Sequence, residues 1–220
     1  MEGHSHDKKE SALILWLLNL GILVLAGRGA NWSRLLSDKS YQHLCFGSAI
    51  ALVPLWMLQA GIKEGLEFHF LGLTTLALML GWRMSQFMAL LSLLLVTLFG
   101  FEGWAHFGMN LMLGVILPIS TSYFVFLLSY SYLTRHLFVY IFVAGFFNGA
   151  LAIAVKSIAF AVYIADAGIY SWNTVVDNYL SILPLLLFPE ALLNGMALTL
   201  LVVFRPQWVC TFYDRDYLNK

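Results

Sequence analysis

The chain has 220 residues, 60% of them apolar and 11% charged, with a formal net charge of zero and a mean hydropathy of +0.80. Soluble domains run at roughly 45–50% apolar and about 25% charged residues, so the composition excludes a water-soluble domain and indicates an all-α, polytopic membrane protein. The balanced charge offers no basic surface for nucleic acid and no acidic field for cations, so any ion preference must come from the local placement of side chains.

A bilayer core of about 30 Å requires roughly 20 apolar helical residues. The first ten residues, MEGHSHDKKE, are polar, and the apolar run behind them lacks a small-x-small cleavage site. This reads as a polar outer tail over 1–10 followed by a retained first span. Candidate spans follow at 11–26, 44–60, 68–82, 84–100, 104–130, 137–165 and 179–204. Residues 11–204 are thus expected to form one seven-helix transmembrane bundle, with 205–220 as a cytoplasmic tail. The third and fourth spans are short and divided only by Gly81-Trp82-Arg83. A re-entrant hairpin there keeps the parity of the count, whereas a single long span changes it.

Lys and Arg accumulate on the cytoplasmic side of membrane proteins. With the amino terminus outside, the inner segments carry Arg28, Arg34, Lys39, Arg83, Arg135, Arg205, Arg215 and Lys220, and the outer ones only Lys8, Lys9 and Lys63. Seven spans, N-out and C-in, satisfy the rule and imply a multi-pass protein of a bacterial cytoplasmic (inner) membrane. The same topology sorts the histidines. His43 and His136 fall inside, beside Arg and Tyr residues, as headgroup-level anchors. His4, His6, His69 and His106 fall outside, where borderline cations that prefer imidazole nitrogen would approach. Glu67 lies beside His69 and could add an oxygen donor.

No Walker A sequence, G-x-S-x-G, H-E-x-x-H or Rossmann glycine fingerprint occurs, so uphill transport would draw on a partner or an ion gradient, and an enzymatic role has no recognisable residues. The two cysteines, Cys45 and Cys210, have no metal or disulfide spacing. Charges inside spans cost about 2.5–3.5 kcal/mol and tend to pair in the bundle interior. Lys156 lies ten residues before Asp166 and Glu190 eleven after Tyr179, so both sit roughly 15 Å below the outer surface. An ion pair between them, pinning the last two spans, is expected. Asn110, Asn148 and Asn194 read as interhelical hydrogen-bond donors. Pro118, Pro184 and Pro189 should bend their helices. Gly145-x-x-x-Gly149 allows close helix approach.

Four local patterns resemble one family. His69-Phe70-Leu71-Gly72 opening a span, Gly108-x-Asn110 opening another, Phe188-Pro189-Glu190-Ala191-Leu192 within the last and Arg205-Pro206 closing it are similar to the CbiM-type permeases of energy-coupling-factor transporters. The likeness runs from about residue 42 onward. It implies a capture component for nickel or cobalt, with Ni2+ or Co2+ as cargo and no intrinsic cofactor, working beside a transmembrane coupling protein and cytoplasmic ATPase subunits. The family's metal site uses the amino-terminal amine, a histidine directly after the initiator methionine and the histidine of the His-x-Leu-Gly motif. The last of these carries over onto His69, and Asn110 is expected to support the site.

The amino terminus departs from that pattern, because Met1 is followed by Glu2 and the first histidines are His4 and His6. Three alternatives follow: a site rearranged onto His4 or His6 as a flexible lid, metal delivery without the chelate, or a different ligand. A rival from another class is a non-transporting structural or accessory membrane subunit of a larger complex, with its histidines incidental.

Overall fold

A computed structural model describes the backbone of residues 2–61 and 65–217, and the side chains within 13–61, 65–213, 215 and 217. His4 and His6 therefore lie outside the described side chains. The fold is a helical bundle with four helical stretches long and apolar enough to cross a membrane, Leu73–Leu98, Trp104–Tyr132, Leu137–Asp166 and Leu183–Phe204, together with a shorter apolar helix over Leu13–Arg28. The chain is a polytopic membrane protein, as its composition requires.

In chain order the helices are α1 (Glu2–Arg28), α2 (Trp32–Ser37), α3 (Lys39–Met57), α4 (Leu73–Leu98), α5 (Trp104–Tyr132), α6 (Leu137–Asp166), α7 (Trp172–Val175), α8 (Leu183–Phe204) and α9 (Asp214–Tyr217). A two-residue ladder, β1 (Ala60–Gly61) against β2 (Glu67–Phe68), is antiparallel with Ala60 opposite Phe68. Helix α8 packs along α6, and α4 packs on α3 and α5. Large side chains such as Leu185, Phe188, Val203 and Phe204 are left facing outward on α8, as a lipid-facing surface demands. Helix α4 is the centre of the fold, with 56% of its apolar window buried against 33% for α8.

That central helix is broken. Gly81 has φ 77° and ψ 163°, a region that residues with a Cβ scarcely enter, and the chain reverses there. A straight 26-residue helix would span roughly 39 Å. Yet both ends of α4 lie beside the end of α3: the Trp56 indole donates to the Leu71 carbonyl at 3.0 Å, and the Gln59 amide donates to Glu102 at 2.9 Å. The pair of short spans is thus a helical hairpin with limbs on either side of Gly81. Its first limb begins at Leu73, five residues after the expected start, because Phe68 belongs to β2 and the intervening residues are non-helical.

The first limb, Leu73–Leu80, is only about 12 Å long, so its orphan backbone groups are buried and must find partners elsewhere. At its start, Glu190 accepts from the backbone N–H of Leu71 (2.8 Å) and Gly72 (2.9 Å), and Asn194 accepts from the Thr75 N–H (2.9 Å). At its end, the Cys210 and Thr211 N–H groups donate to the carbonyls of Met79 and Leu78 at 3.1 and 3.3 Å. The Thr211 hydroxyl adds a second donor to Leu78 at 2.8 Å. The limb is capped in trans at both ends from one stretch of the chain, residues 190–211.

This arrangement corrects the expected Lys156–Glu190 ion pair. Among the described residues the ion pair present is Arg34–Asp38. Glu190, fully buried, spends both carboxylate oxygens on the hairpin backbone and also accepts from the Asn194 side chain at 2.7 Å. Of the other expected devices, the close glycine approach and the Asn148 donor are present, whereas Asn110 donates to Glu102 just before its own helix and Asn194 donates within α8 while accepting from Thr75 of α4. A Cβ on Gly149 would stand 3.1 Å from the Glu190 carbonyl oxygen, so α6 and α8 meet nearly backbone to backbone. Asn148 donates to the Ser122 carbonyl of α5 at 2.8 Å. Widened π-helical turns over Asn110–Ile116 and Val176–Leu180 precede Pro118 and Pro184.

Candidate functional site

Residues 65–72 enter the bundle as a non-helical segment between the left-handed glycines Gly65 and Gly72, and four contacts hold them there. Leu66 and Leu71 are fully buried. Phe68 stacks on Tyr179 with centroids 4.0 Å apart and planes 7° apart. Trp56 and Glu190 bind the backbone at Leu71 and Gly72. His69 is the polar residue suspended between these anchors.

Its ring is half-buried, tilted against Trp56 at 5.7 Å, and its Nδ1 stands 3.0 Å from the Phe70 carbonyl oxygen. A carbonyl can only accept, so Nδ1 carries the proton and Nε2 keeps the free lone pair. A carbonyl fixing the distal nitrogen in this way is the usual support of a metal-ligating imidazole. Desolvation, reinforced by the Lys156 ammonium, drives the His69 pKa down to about 3. The ring therefore stays neutral at ordinary pH, as a ligand must be.

His69 lines a cavity of about 290 Å³ together with Glu67, Glu102, His106, Asn110 and Lys156. The structure thus brings to one place every candidate whose side chain is described, except Glu190, which acts from behind through the hairpin backbone. Their settings differ. Glu67 and His106 are exposed at the rim, and Lys156 is buried at 7% exposure. Asn110 supports a neighbouring carboxylate, donating to Glu102 at 2.7 Å. Burial raises the Glu102 pKa, while its hydrogen bonds from Asn110 and Gln59 and the nearby Lys156 charge oppose the rise.

Glu102 and Gln59 were not among the sequence candidates. The signal lay in position: an acid beside Trp104 at a span end, on the histidine side and eight residues before Asn110. Among the described residues, no three His, Cys, Asp or Glu side chains converge closely enough to hold a metal ion. Helix α1 packs on the start of α5, whose His106, Met109 and Asn110 line the cavity: Trp16 stacks on Phe107 at 6.2 Å and the Asn19 amide donates to the Gly108 carbonyl at 2.8 Å.

A family model described as the CbiM cobalt uptake substrate-specific transmembrane region matches residues 8–208. The chain belongs to the CbiM family. Membership makes it a transporter component rather than an enzyme, and a substrate-specific transmembrane component of cobalt uptake. The match includes the His69 loop, the Glu102–Asn110 pair and the Glu190–Asn194 face of α8. No curated protein and no solved structure matches the chain.

Proposed function

We propose that this CbiM-family chain captures a divalent transition-metal ion, cobalt or nickel, from the outer side of the bacterial cytoplasmic membrane and passes it inward with a transmembrane coupling protein and cytoplasmic ATPase subunits. In this reading α4 supplies two of seven spans, N-out and C-in, and the capture cavity opens outward. The observation that carries the proposal is the His69 ring: its Nδ1 proton is committed to Phe70, leaving Nε2 as a neutral lone pair on a cavity wall.

His69 is the direct ligand, and Glu102, held by Gln59 and Asn110, is a second donor from the opposite wall. Glu67 and His106 meet the ion at the rim. The described donors do not close a coordination sphere, and Trp16 of α1 packs against Phe107, next to the cavity-lining His106. These two facts favour residues 1–10, with His4 or His6, as the source of the remaining donors. Selectivity for cobalt or nickel then follows from imidazole chemistry and geometry rather than raw affinity.

The test is equilibrium binding of Co2+ and Ni2+ to the purified chain, to His69→Ala and to a variant lacking residues 1–10. Both changes should weaken binding at least tenfold. Unaltered binding in both would refute the site.

A further inference from the structure

Lys156 is a charged group of the cavity that metal capture leaves unused. It is 7% exposed, and among the described residues no hydrogen bond or ion pair reaches its Nζ. Its recorded contact is the Phe160 ring, with Nζ 5.5 Å from the centroid. Neighbouring carboxylates are committed elsewhere. Glu102 accepts from Gln59 on one oxygen and Asn110 on the other, and Glu190 accepts from the hairpin backbone. Glu67 is exposed on β2. A buried ammonium that no carboxylate bonds directly is costly; Glu102 and Glu190 act on its charge only from a distance, so Nζ still has room for an anionic partner in contact with it. A metal ion on His69 would share one cavity with this ammonium.

The size of the cavity points the same way. Its volume of about 290 Å³ would take roughly ten waters at about 30 Å³ each, far more than one ion fills. Trp56, Val96, Met109 and Phe160 supply apolar wall, the lining of a small-molecule site.

The geometry points to a cargo that brings its own negative charge: a divalent metal ion already held by a small carboxylate chelator. The chelator's free carboxylate pairs with the Lys156 ammonium, and the metal takes the His69 Nε2 lone pair in an open coordination position. This rests on the capture reading above and names the form in which the metal arrives.

The experiment compares Co2+ as the aqua ion with Co2+ complexed by citrate or by L-malate, binding to the full chain in lipid nanodiscs. The proteins are the parent, Lys156→Met, Lys156→Gln and His69→Ala, each checked for an intact thermal transition. The parent should bind at least one complex about tenfold or more tighter than the aqua ion, the gain expected from a desolvated charge pair. Both Lys156 variants should reverse that order, with the aqua ion now binding more tightly than to the parent. His69→Ala should weaken every form. If the aqua ion binds the parent as well as both complexes do, or if both Lys156 variants keep the parent's order, the inference is overturned while a His69-dependent affinity leaves the capture reading standing. If His69→Ala weakens nothing, the capture reading falls and takes this inference with it.

Discussion

Replacing Glu190 tests the architecture most directly. Its carboxylate is fully buried and is the acceptor for two backbone N–H groups, at Leu71 and Gly72, inside the bundle. Alanine leaves both donors without partners, and each buried unsatisfied group costs about 1–3 kcal/mol, so Glu190→Ala should lose about 2–6 kcal/mol. Glutamine keeps the shape and one oxygen but turns an NH2 toward a backbone donor, so Glu190→Gln should lose about 1–3 kcal/mol. For a chain of this size that corresponds to a fall in Tm of roughly 2–12 °C. The assay is thermal unfolding in nanodiscs followed by tryptophan fluorescence. Trp56, bonded to the Leu71 carbonyl, reports on the loop itself. The reasoning fails if Glu190→Gln unfolds within about 1 °C of the parent. It also fails if Lys156→Met costs as much as Glu190→Gln and the double variant costs no more than either, because that pattern belongs to an ion pair.

Three further changes probe the same frame. Gly81→Ala should lose at least about 1–3 kcal/mol and reduce the yield of folded protein, since alanine disfavours φ 77° and its Cβ would press within 3.3 Å of the Cys210 sulfur; an unchanged Tm would refute the reversal at Gly81. Thr211→Val strands the buried Tyr140 hydroxyl, now 2.6 Å from Thr211 Oγ1, and should lower stability by about 1–3 kcal/mol, read by the same unfolding transition. His69, held neutral down to about pH 3 against an ordinary value near 6.5, gives a pH dependence of definite sign. Between these values the unfolded chain binds a proton that the folded chain refuses, so the stability from a neutral His69 is complete above about pH 6.5 and is lost as pH falls toward 3. Glu102, whose pKa is raised, contributes the opposite slope above its ordinary value. The difference between parent and His69→Gln unfolding across pH 8 to 5 isolates the histidine, and a pH-independent difference would contradict its burial.

Membrane class and the long apolar helical stretches were legible from the sequence because they rest on a local signal, the length of each apolar run. Lys156 and Glu190 are both buried, as charges placed within apolar runs were expected to be. Their pairing was wrong because depth along two helices says nothing about azimuth, and because the competing acceptors' partners, the Leu71 and Gly72 N–H groups, carry no side-chain signature. The hairpin was visible only as an ambiguity at Gly81-Trp82-Arg83. Resolving it requires knowing that Trp56 and Gln59 meet both of its ends. Glu102 was missed for a related reason, since an acid in an outer loop is ordinary until Gln59 and Asn110 close over it.

The hairpin explains why the patterns shared with the CbiM family lie so far apart in the chain. An eight-residue limb cannot satisfy the backbone groups at its own ends, and inside the bundle these need protein partners. Glu190 and Asn194, four residues apart on one face of α8, supply the acceptors at the start of the limb, and the Asn194 amide binds Glu190 in turn at 2.7 Å. Cys210 and Thr211 supply the donors at its end. His69 precedes the first of these caps by two residues, so its position is set less by its own neighbours in sequence than by α8, about 120 residues later. A change on α8 that leaves the cavity lining untouched should therefore still move the imidazole. In Glu190→Gln, Co2+ affinity should fall along with stability, although residue 190 never meets the ion.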